Sequence, residues 1–149
     1  IIEYLDECWP DIDPLLPSVA RDRAHVRSIA QVIACDVHPL GNLRVLQYLE
    51  RNCSMPPIER EAWSRHWIQV GLDAVEQLLL EHPGTGPYCM GDVPGLADIC
   101  LVPQVYNALR WGLSLEAWPT ISAVHAACQA LPEFQAAAPE VQPDAPRPG

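Results

Sequence analysis

The chain has 149 residues, which is enough for one domain with a buried core, and its formal net charge at pH 7 is -10. A surface this acidic argues against nucleic acid, whose phosphates are bound by clustered Lys and Arg, and against docking on anionic membranes. The sequence has no apolar run near the ~18 residues of a membrane span and no metal-ligand spacing, so neither a membrane span nor a metal is expected.

Residues 1–9 predict the end of an amphipathic helix. The pattern starts inside a helix, without an N-cap or an initiator Met, so it indicates the remnant of a truncated upstream domain. Residues 10–17 contain Pro10, Pro14 and Pro17. Proline lacks an amide donor and moves the preceding residue out of the helical region, so we expect a linker here. Leu15 and Leu16 would pin this linker against a neighbouring element.

A helical domain is predicted over residues 18–138, starting with one long amphipathic helix. Val26, Ile29, Ile33 and Val37 recur at steps of three and four residues. Pro39 removes one hydrogen bond and clashes with the preceding turn, so a kink is expected there before the helix resumes to about residue 49.

The next predicted helix covers residues 59–81. Trp63, Trp67, Val70 and Ala74 form one apolar stripe. Leu78 continues the stripe, and Leu72, Val75 and Leu79 broaden it, which predicts burial on two sides of this helix.

A very apolar helix follows from Gly95 and is expected to be the centre of the bundle. Its apolar residues follow at helical spacing and are Leu96, Ile99, Cys100, Pro103, Tyr106 and Leu109. Asp98 stands three residues after Gly95, where its carboxylate can accept the free amides of the first turn, so we interpret it as a structural cap rather than a catalytic acid.

Two helices are predicted at the C-terminal end of the domain. Ile121, Val124 and Cys128 form the stripe of the first, and the second covers residues 132–138. Residues 139–149 are rich in proline and are expected to be disordered or extended. Since no segment shows the alternation of a strand, the sequence predicts an all-α bundle.

Six cysteines are scattered along the chain without a CxxC motif. Several lie in apolar helical stretches, so we interpret them as reduced thiols of a cytoplasmic protein. Cys100 and Cys128 are expected to be small buried hydrophobes rather than nucleophiles. The six cysteines are Cys8, Cys35, Cys53, Cys89, Cys100 and Cys128.

Two segments carry a resemblance to a known family. Residues 97–105, ADICLVPQV, resemble the central helix of the helical domain of glutathione transferases. Residues 37–46, VHPLGNLRVL, resemble the zeta class of that family, the maleylacetoacetate isomerases. Residues 1–5, 118–121 and 142–146 resemble the same proteins. The resemblance implies a glutathione-transferase C-terminal helical bundle over residues 18–138, with a short helical remnant of the thioredoxin-like domain before it.

This resemblance implies a reaction as well as a fold. The family isomerises maleylacetoacetate to fumarylacetoacetate, in tyrosine and phenylalanine catabolism, with glutathione as the cofactor whose thiolate adds to the alkene and leaves again. The motif that activates glutathione would lie upstream of Ile1, so no catalytic residue is expected in this chain and the chain alone is expected to be inactive. A homodimer is also implied. Gly95 departs from the family, which has Ser or Thr there.

The resemblance assigns five residues to glutathione and the diacid substrate. They are His38, Asn42, Leu43 and Arg44, around the expected kink, and Arg110, at the end of the central helix. Arginine suits a carboxylate because its planar fork matches the two oxygens. Each residue also has a structural interpretation: packing for His38 and Leu43, backbone capping for Asn42, a surface ion pair for Arg44, and the helix dipole for Arg110.

Three alternatives remain open from the sequence. Maleylpyruvate isomerase would use the same chemistry on a shorter diacid, and another glutathione transferase activity is a further possibility. The third alternative is a protein-interaction module without catalysis. Polar residues clustered around residue 39 argue against it, because a scaffold has no need of them.

Overall fold

The computed structural model describes residues 1–9, 12 and 14–145, and all regular structure in these residues is helical. The predicted all-α class is therefore confirmed. The helices, in chain order, are α1 (Ile2–Cys8), α2 (Ala20–Gln31), a π-helical segment (Val32–Val37), α3 (His38–Leu40), α4 (Leu43–Cys53), α5 (Pro57–Glu81), α6 (Leu96–Arg110), a 3₁₀ turn (Leu115–Ala117), α7 (Pro119–Gln129), α8 (Pro132–Ala136) and a second 3₁₀ turn (Pro139–Val141).

Helix α6 lies at the centre and packs against α2, α5 and α7. The core between these helices is aliphatic, because each helix contributes branched side chains that are fully buried. Examples are Ile29 of α2, Leu72 of α5, Leu101 of α6 and Ile121 of α7. The stripes predicted for α2 and α7 are confirmed, because Val26, Ile29, Ile33, Val37, Ile121, Val124 and Cys128 are all buried.

The stripes predicted for α5 and α6 were wrong in part. Leu72, Val75 and Leu79 of α5 are buried as predicted, and so is Leu96 of α6. Val70 and Ala74 of α5 are exposed, as are Pro103 and Tyr106 of α6. Both helices carry apolar residues on several faces, so spacing alone did not select the face that is buried. The buried faces are Ser64, Ile68, Gly71, Leu72, Val75, Glu76 and Leu79 in α5, and Leu96, Ala97, Asp98, Leu101, Val102, Gln104, Val105 and Ala108 in α6.

Two buried carboxylates satisfy backbone amides at the starts of the central helices. Asp98 accepts the amide of Gly95 at 2.9 Å and the amide of Cys89 at 2.9 Å, so it joins the preceding loop to α6. Glu76 of α5 accepts the amides of Thr120 and Ile121, each at 2.9 Å. The first turn of α7 is therefore capped by a side chain from another helix.

The segment before α2 is held against the bundle. The amide of Leu15 donates to Asp6 at 2.7 Å, and Leu15 accepts the amide of Leu96 at 2.9 Å. Leu16 is buried. Gly95 fits this approach, since a Cβ there would stand 2.7 Å from the carbonyl oxygen of Leu15. Residues 10, 11 and 13 of the predicted linker lie outside the described residues.

Pro39 is associated with a larger change than the expected kink. The helix widens to π geometry over Val32–Val37, continues for one turn and then stops at Gly41. Asn42 has extended backbone angles and starts the separate helix α4. A π turn relieves the clash of a proline ring with the preceding carbonyl groups, and the break lets α4 leave in a new direction.

The expectation of a disordered or extended tail was wrong for residues 139–145. Pro139–Val141 form a 3₁₀ turn, and the side chain of Gln142 donates to the carbonyl groups of Ala136 and Ala138 at 2.9 and 3.1 Å. Proline is well suited to the first position of such a turn because its nitrogen carries no hydrogen that would need an acceptor there. Residues 146–149 lie outside the described residues.

Candidate functional site

A cavity of about 540 Å³ lies between the π-helical segment, the turn after α3 and one face of α6. The π segment supplies Ile33 and Ala34. His38 comes from α3, Gly41 and Asn42 from the turn after it, and Leu43 from the start of α4. The wall from α6 consists of Ile99, Cys100, Pro103, Gln104, Tyr106 and Asn107. This volume is within the range of small-molecule sites.

Helix α5 fixes the wall that contains His38. The indole nitrogen of Trp63 donates to the carbonyl oxygen of Leu40 at 2.9 Å, which holds the end of α3. Gly71 allows α5 to approach the π segment, since a Cβ at this position would overlap Cγ2 of Val37. The position of the wall therefore depends on close helix packing rather than on the local sequence.

Asn42 has a structural contact and also faces the cavity. Its side-chain oxygen accepts the amide of Arg44 at 3.1 Å and caps α4. Its backbone carbonyl accepts the amides of Val45 and Leu46. Because the capping oxygen is fixed in this way, the side-chain amide group is the part of Asn42 that can donate to a ligand.

His38 and Leu43 lie at the rim of the cavity. His38 is exposed, and 68% of the surface of Leu43 is accessible to solvent. A leucine this exposed stabilises little by itself, so it is available to cover a ligand or another part of the protein.

The structure does not bring the two predicted arginines into the cavity wall. Arg44 is exposed in the first turn of α4, and Arg110 is exposed in the last turn of α6. Arg110 is one helical turn from Tyr106, which does line the cavity. Long side chains can reach across a rim, so both guanidinium groups remain candidates for a carboxylate outside the cavity.

Helix α6 contributes cavity residues that the sequence reasoning missed. Gln104 is only 3% exposed, lines the cavity, and has a side-chain nitrogen with no hydrogen-bond partner among the described residues. Asn107 lies one turn further along the same face. The available signal was a glutamine within an apolar helix, but its face could not be known before the packing of α6 was known.

Tyr106 also lines a second cavity of about 550 Å³, which lies between α6, the end of α7, α8 and the C-terminal segment. Its hydroxyl donates to Glu140 at 2.8 Å. This hydrogen bond raises the pKa of Tyr106, with burial and the charge of Glu140 adding to the effect and the nearby Arg110 opposing it. The C-terminal segment is thus attached to a residue of the cavity wall.

The cysteines near the cavity are poor nucleophiles. Burial raises the pKa of Cys100, the only cysteine in the described lining, with a smaller effect from Cys35. Burial, with the adjacent Asp98, also raises the pKa of Cys89 and raises that of Cys128 to about 12. Because the thiolate is the reactive form, none of these three side chains is activated.

All six cysteines are free thiols. In the described part of the chain, no group of three or more His, Cys, Asp or Glu could hold a metal ion. The same residues include no helix that is long and apolar enough to cross a membrane.

The cavity combines the amide group of Asn42 and the imidazole of His38 with a thiol that is not activated, that of Cys100. Such a lining suits the binding of an oxygen-rich small molecule.

Comparison with known proteins gives a consistent group of relatives. The chain is 45% identical over 144 residues to the maleylpyruvate isomerase of a Ralstonia species, covering 97% of the chain and 68% of that protein. It is 45% identical over 146 residues to the maleylacetoacetate isomerase of Pseudomonas aeruginosa, covering 98% of the chain and 66% of that protein. The chain spans about two thirds of the length of these curated relatives. No protein-family model matches it.

Solved structures agree with these relatives. The fold matches a maleylpyruvate isomerase described as a bacterial glutathione transferase of the zeta class, with a TM-score of 0.93 and 44% identity, over 97% of this chain and 68% of that one. It also matches the maleylacetoacetate isomerase of Anaeromyxobacter dehalogenans with dicarboxyethyl glutathione and citrate bound in the active site. That match has a TM-score of 0.90 and 43% identity, over 98% of this chain and 64% of that one.

Proposed function

Because the chain belongs to the zeta class of glutathione transferases, the family of maleylacetoacetate and maleylpyruvate isomerases, we propose that it forms the substrate-side wall of a glutathione-dependent cis-trans isomerase. The substrate class is a diacid in which a cis alkene is conjugated to a ketone. The observation that carries this proposal is the cavity of about 540 Å³ lined by His38, Asn42 and Leu43, in a chain this similar to such isomerases.

The cavity fits a reaction whose nucleophile comes from a bound ligand. Cys100, the cysteine in the described lining, is held as a neutral thiol by burial, as described above. Glutathione, when bound, supplies the thiolate that makes rotation about the alkene possible, because its addition turns the double bond into a single bond. The residues of this chain would bind, orient and shield the reactants.

We assign roles by position relative to the cavity. His38, Asn42 and Leu43 are proposed to contact glutathione, because imidazole, amide and exposed leucine lie together on one wall. Arg44 and Arg110 are proposed to hold the substrate carboxylates from the rim, since a guanidinium group binds a carboxylate through two parallel hydrogen bonds. Asp98, with both carboxylate oxygens bound to backbone amides, is proposed as a structural residue.

The activity is tested by joining this chain to the part of the Ralstonia maleylpyruvate isomerase that it does not match. We expect the chimaera to isomerise maleylacetoacetate, maleylpyruvate or both in the presence of glutathione, with the Ralstonia protein as positive control. Absence of activity with both acids, in a folded chimaera that binds glutathione, would show that the proposed function is wrong. The two acids stay open as substrates, since the relatives named for each are equally identical to the chain.

Substitution of the rim arginines tests the assigned roles. Arg110→Ala in the chimaera is expected to raise KM for the diacid about 10-fold or more while KM for glutathione changes little, because it removes a charge-assisted bidentate contact to one substrate only. Arg51→Ala, on the exposed last turn of α4, is the matched control. Equal increases of KM for the diacid and for glutathione would contradict the assignment of Arg110.

We also propose that the protein is a cytoplasmic homodimer. Support comes from the six free thiols, which are typical of a reducing compartment, and from exposed apolar side chains such as Tyr48 and Ile58. Light scattering coupled to size exclusion should give twice the mass of one chain for the complete protein. A monomer at micromolar concentration would contradict the dimer.

A further inference from the structure

The end of α6 is tied to α5 by the side chain of Arg65. Nε of Arg65 donates to the carbonyl oxygen of Trp111 at 2.7 Å. Trp111 follows the last residue of α6, Arg110, so this bond holds the C-terminus of the helix that carries a candidate substrate-binding arginine. A cation is favourable at this place, because the C-terminus of a helix carries a partial negative charge.

The turn after α6 leaves the carbonyl group of Trp111 to a side chain. Gly112 has a φ of 75°, which is a left-handed conformation that suits glycine and ends the helix. The amides of residues 111–113 return to carbonyl groups within α6. The carbonyl group of Trp111 lies beyond these bonds and accepts from Arg65 instead. The last turn of α6 is therefore anchored to α5 through one side chain.

Trp111 also connects this anchor to the start of α4. It is partly buried against the core, and it lines a groove of about 280 Å³ with Leu43 and Leu46 of α4. Leu43 precedes Arg44 directly and belongs to the wall of the cavity. The residue that Arg65 holds thus lies beside the element that carries the other rim arginine.

Arg110 depends on this anchor for its position. Its side chain is exposed, and none of the salt bridges among the described residues involves it. No carboxylate of the chain therefore fixes its guanidinium group, and the backbone of the last turn decides where the side chain begins. Helix ends open easily unless something holds them, so a bond at Trp111 limits the movement of Arg110.

We propose that Arg65 is a positioning residue, which holds the last turn of α6 so that Arg110 can bind a carboxylate of the diacid. This inference rests on the proposed function and on the role given there to Arg110. Arg65 is absent from the lining of the cavity and is not proposed to touch the substrate. Because a small displacement of a binding group removes much of its effect, loss of the anchor should weaken binding of the diacid.

Two uncharged replacements separate the hydrogen bond of Arg65 from its charge. In glutamine, Nε2 stands as many bonds from Cα as Nε does in arginine, so Arg65→Gln keeps a donor there. Arg65→Met places a methyl group at the same position and keeps no donor. Both variants lose the ion pair with Glu61, whose atoms are 3.7 Å apart. Glu61→Gln is the matched control, because it removes the ion pair and leaves Arg65 in place.

Steady-state kinetics of the chimaera that isomerises the diacid measure the effect. Arg65→Met should raise KM for the diacid about 3- to 10-fold, with kcat and KM for glutathione changed less than about 2-fold. Arg65→Gln and Glu61→Gln should both keep KM for the diacid within about 2-fold. Combined with Arg110→Ala, the replacement Arg65→Met should raise KM no further, because the group that it positions is gone. A purely structural cap would not show this dependence on Arg110.

The outcomes separate the inference from the proposed function. If the unsubstituted chimaera is inactive with both acids, the proposed function is wrong and the inference falls with it. If the chimaera is active but Arg110→Ala leaves KM for the diacid unchanged, the inference is overturned and the isomerase function stands.

Three further results would overturn only the inference. The first is an unchanged KM for the diacid in Arg65→Met, or the same rise with and without Arg110. The second is an equal rise in Arg65→Gln, because the donor would then not be the cause. The third is loss of folding in Arg65→Met, followed by circular dichroism, because Arg65 would then support the fold rather than Arg110.

Discussion

At the scale of single residues, Asp98 shows how a charged side chain can be part of a core. It is 1% exposed, yet both carboxylate oxygens accept backbone amides, and Cys128 lies beneath one of them at 3.9 Å. A buried carboxylate is tolerated when its oxygens are satisfied in this way. These contacts support the proposal that Asp98 stabilises the start of α6 and the preceding loop.

Asp98→Ala is expected to lower the free energy of unfolding by about 3 to 5 kcal/mol, since two charge-assisted hydrogen bonds are lost and two amides lose their acceptor. Urea unfolding followed by circular dichroism measures this change. Asp92→Ala, at an exposed position in the same loop, should cost less than about 0.5 kcal/mol. If both variants were equally stable, Asp98 would not be the cap of α6.

The cysteines also differ residue by residue in exposure, and burial raises the pKa of Cys89 and Cys128. Cys8, Cys35 and Cys53 are exposed, whereas Cys89 and Cys128 are buried beside Asp98. We expect the three exposed thiols to react with an aromatic disulfide reagent within minutes at pH 8, and Cys89 and Cys128 to react only after unfolding. Labelling followed by mass spectrometry identifies the sites. Rapid labelling of Cys128 in the folded protein would contradict the packing around α6.

At the scale of elements, the crossing of α5 and the π-helical segment decides where the cavity wall lies. Gly71 is the contact point, and Val37 occupies the space that a side chain at residue 71 would need. Trp63, two turns earlier in α5, holds the end of α3 through Leu40. Since His38 follows Val37 directly and Asn42 lies two residues after Leu40, the contacts of α5 with Val37 and Leu40 help to set the positions of both residues.

Gly71→Ala is expected to have two opposing effects on the stability of the fold. Alanine is a better helix former by about 1 kcal/mol, but the overlap with Val37 forces the π segment away at a cost of about 1 to 3 kcal/mol. We expect a net loss of stability and a higher KM for glutathione, measured by urea unfolding and steady-state kinetics of the chimaera. Ala74→Val adds bulk on the exposed face of α5 and should leave KM for glutathione unchanged. A stabilised Gly71→Ala variant with unaltered KM would contradict this description of the crossing.

At the scale of the whole molecule, a pair of stacked histidines joins the start of α2 to the loop after α5. The rings of His25 and His82 are 4.0 Å apart, and Nε2 of His82 lies 3.7 Å from Asp22. Burial lowers the pKa of His25, the adjacent His82 lowers it further, and Asp22 opposes both. Burial also lowers the pKa of His125 in α7. Folding therefore disfavours the protonated form of two imidazoles.

The sign of the pH dependence follows from these two shifts. Between the lowered pKa of the folded state and the ordinary value near 6.5, the unfolded chain binds more protons, so stability falls as the pH decreases through that window. We expect a lower urea midpoint at pH 5.5 than at pH 7.5, and a smaller difference in His25→Phe. His66→Phe, at an exposed position, is the control and should keep the difference of the unsubstituted protein. A midpoint that rises on acidification would contradict the prediction.

The sequence by itself determined the helical class, most helix positions and two of the buried stripes. These features depend on neighbours within one or two turns, so periodicity and turn residues are sufficient. In α2 and α7, the bulky apolar residues occupy one face, and the predicted faces are buried in the structure. The resemblance of residues 37–46 and 97–105 also indicated the family before any contact was known.

Only the tertiary structure decided which faces of α5 and α6 are buried and what lines the cavity. Both helices are apolar on several sides, so the choice depends on the helices packed against them. Glu76 caps α7 and Tyr106 binds Glu140, and both contacts join residues far apart in sequence. The side-chain nitrogen of Gln104 is buried without a partner, which also depends on how α6 packs. The physical reason is that helical periodicity is a local property, whereas a cavity and its unsatisfied donor exist only between elements that pack together.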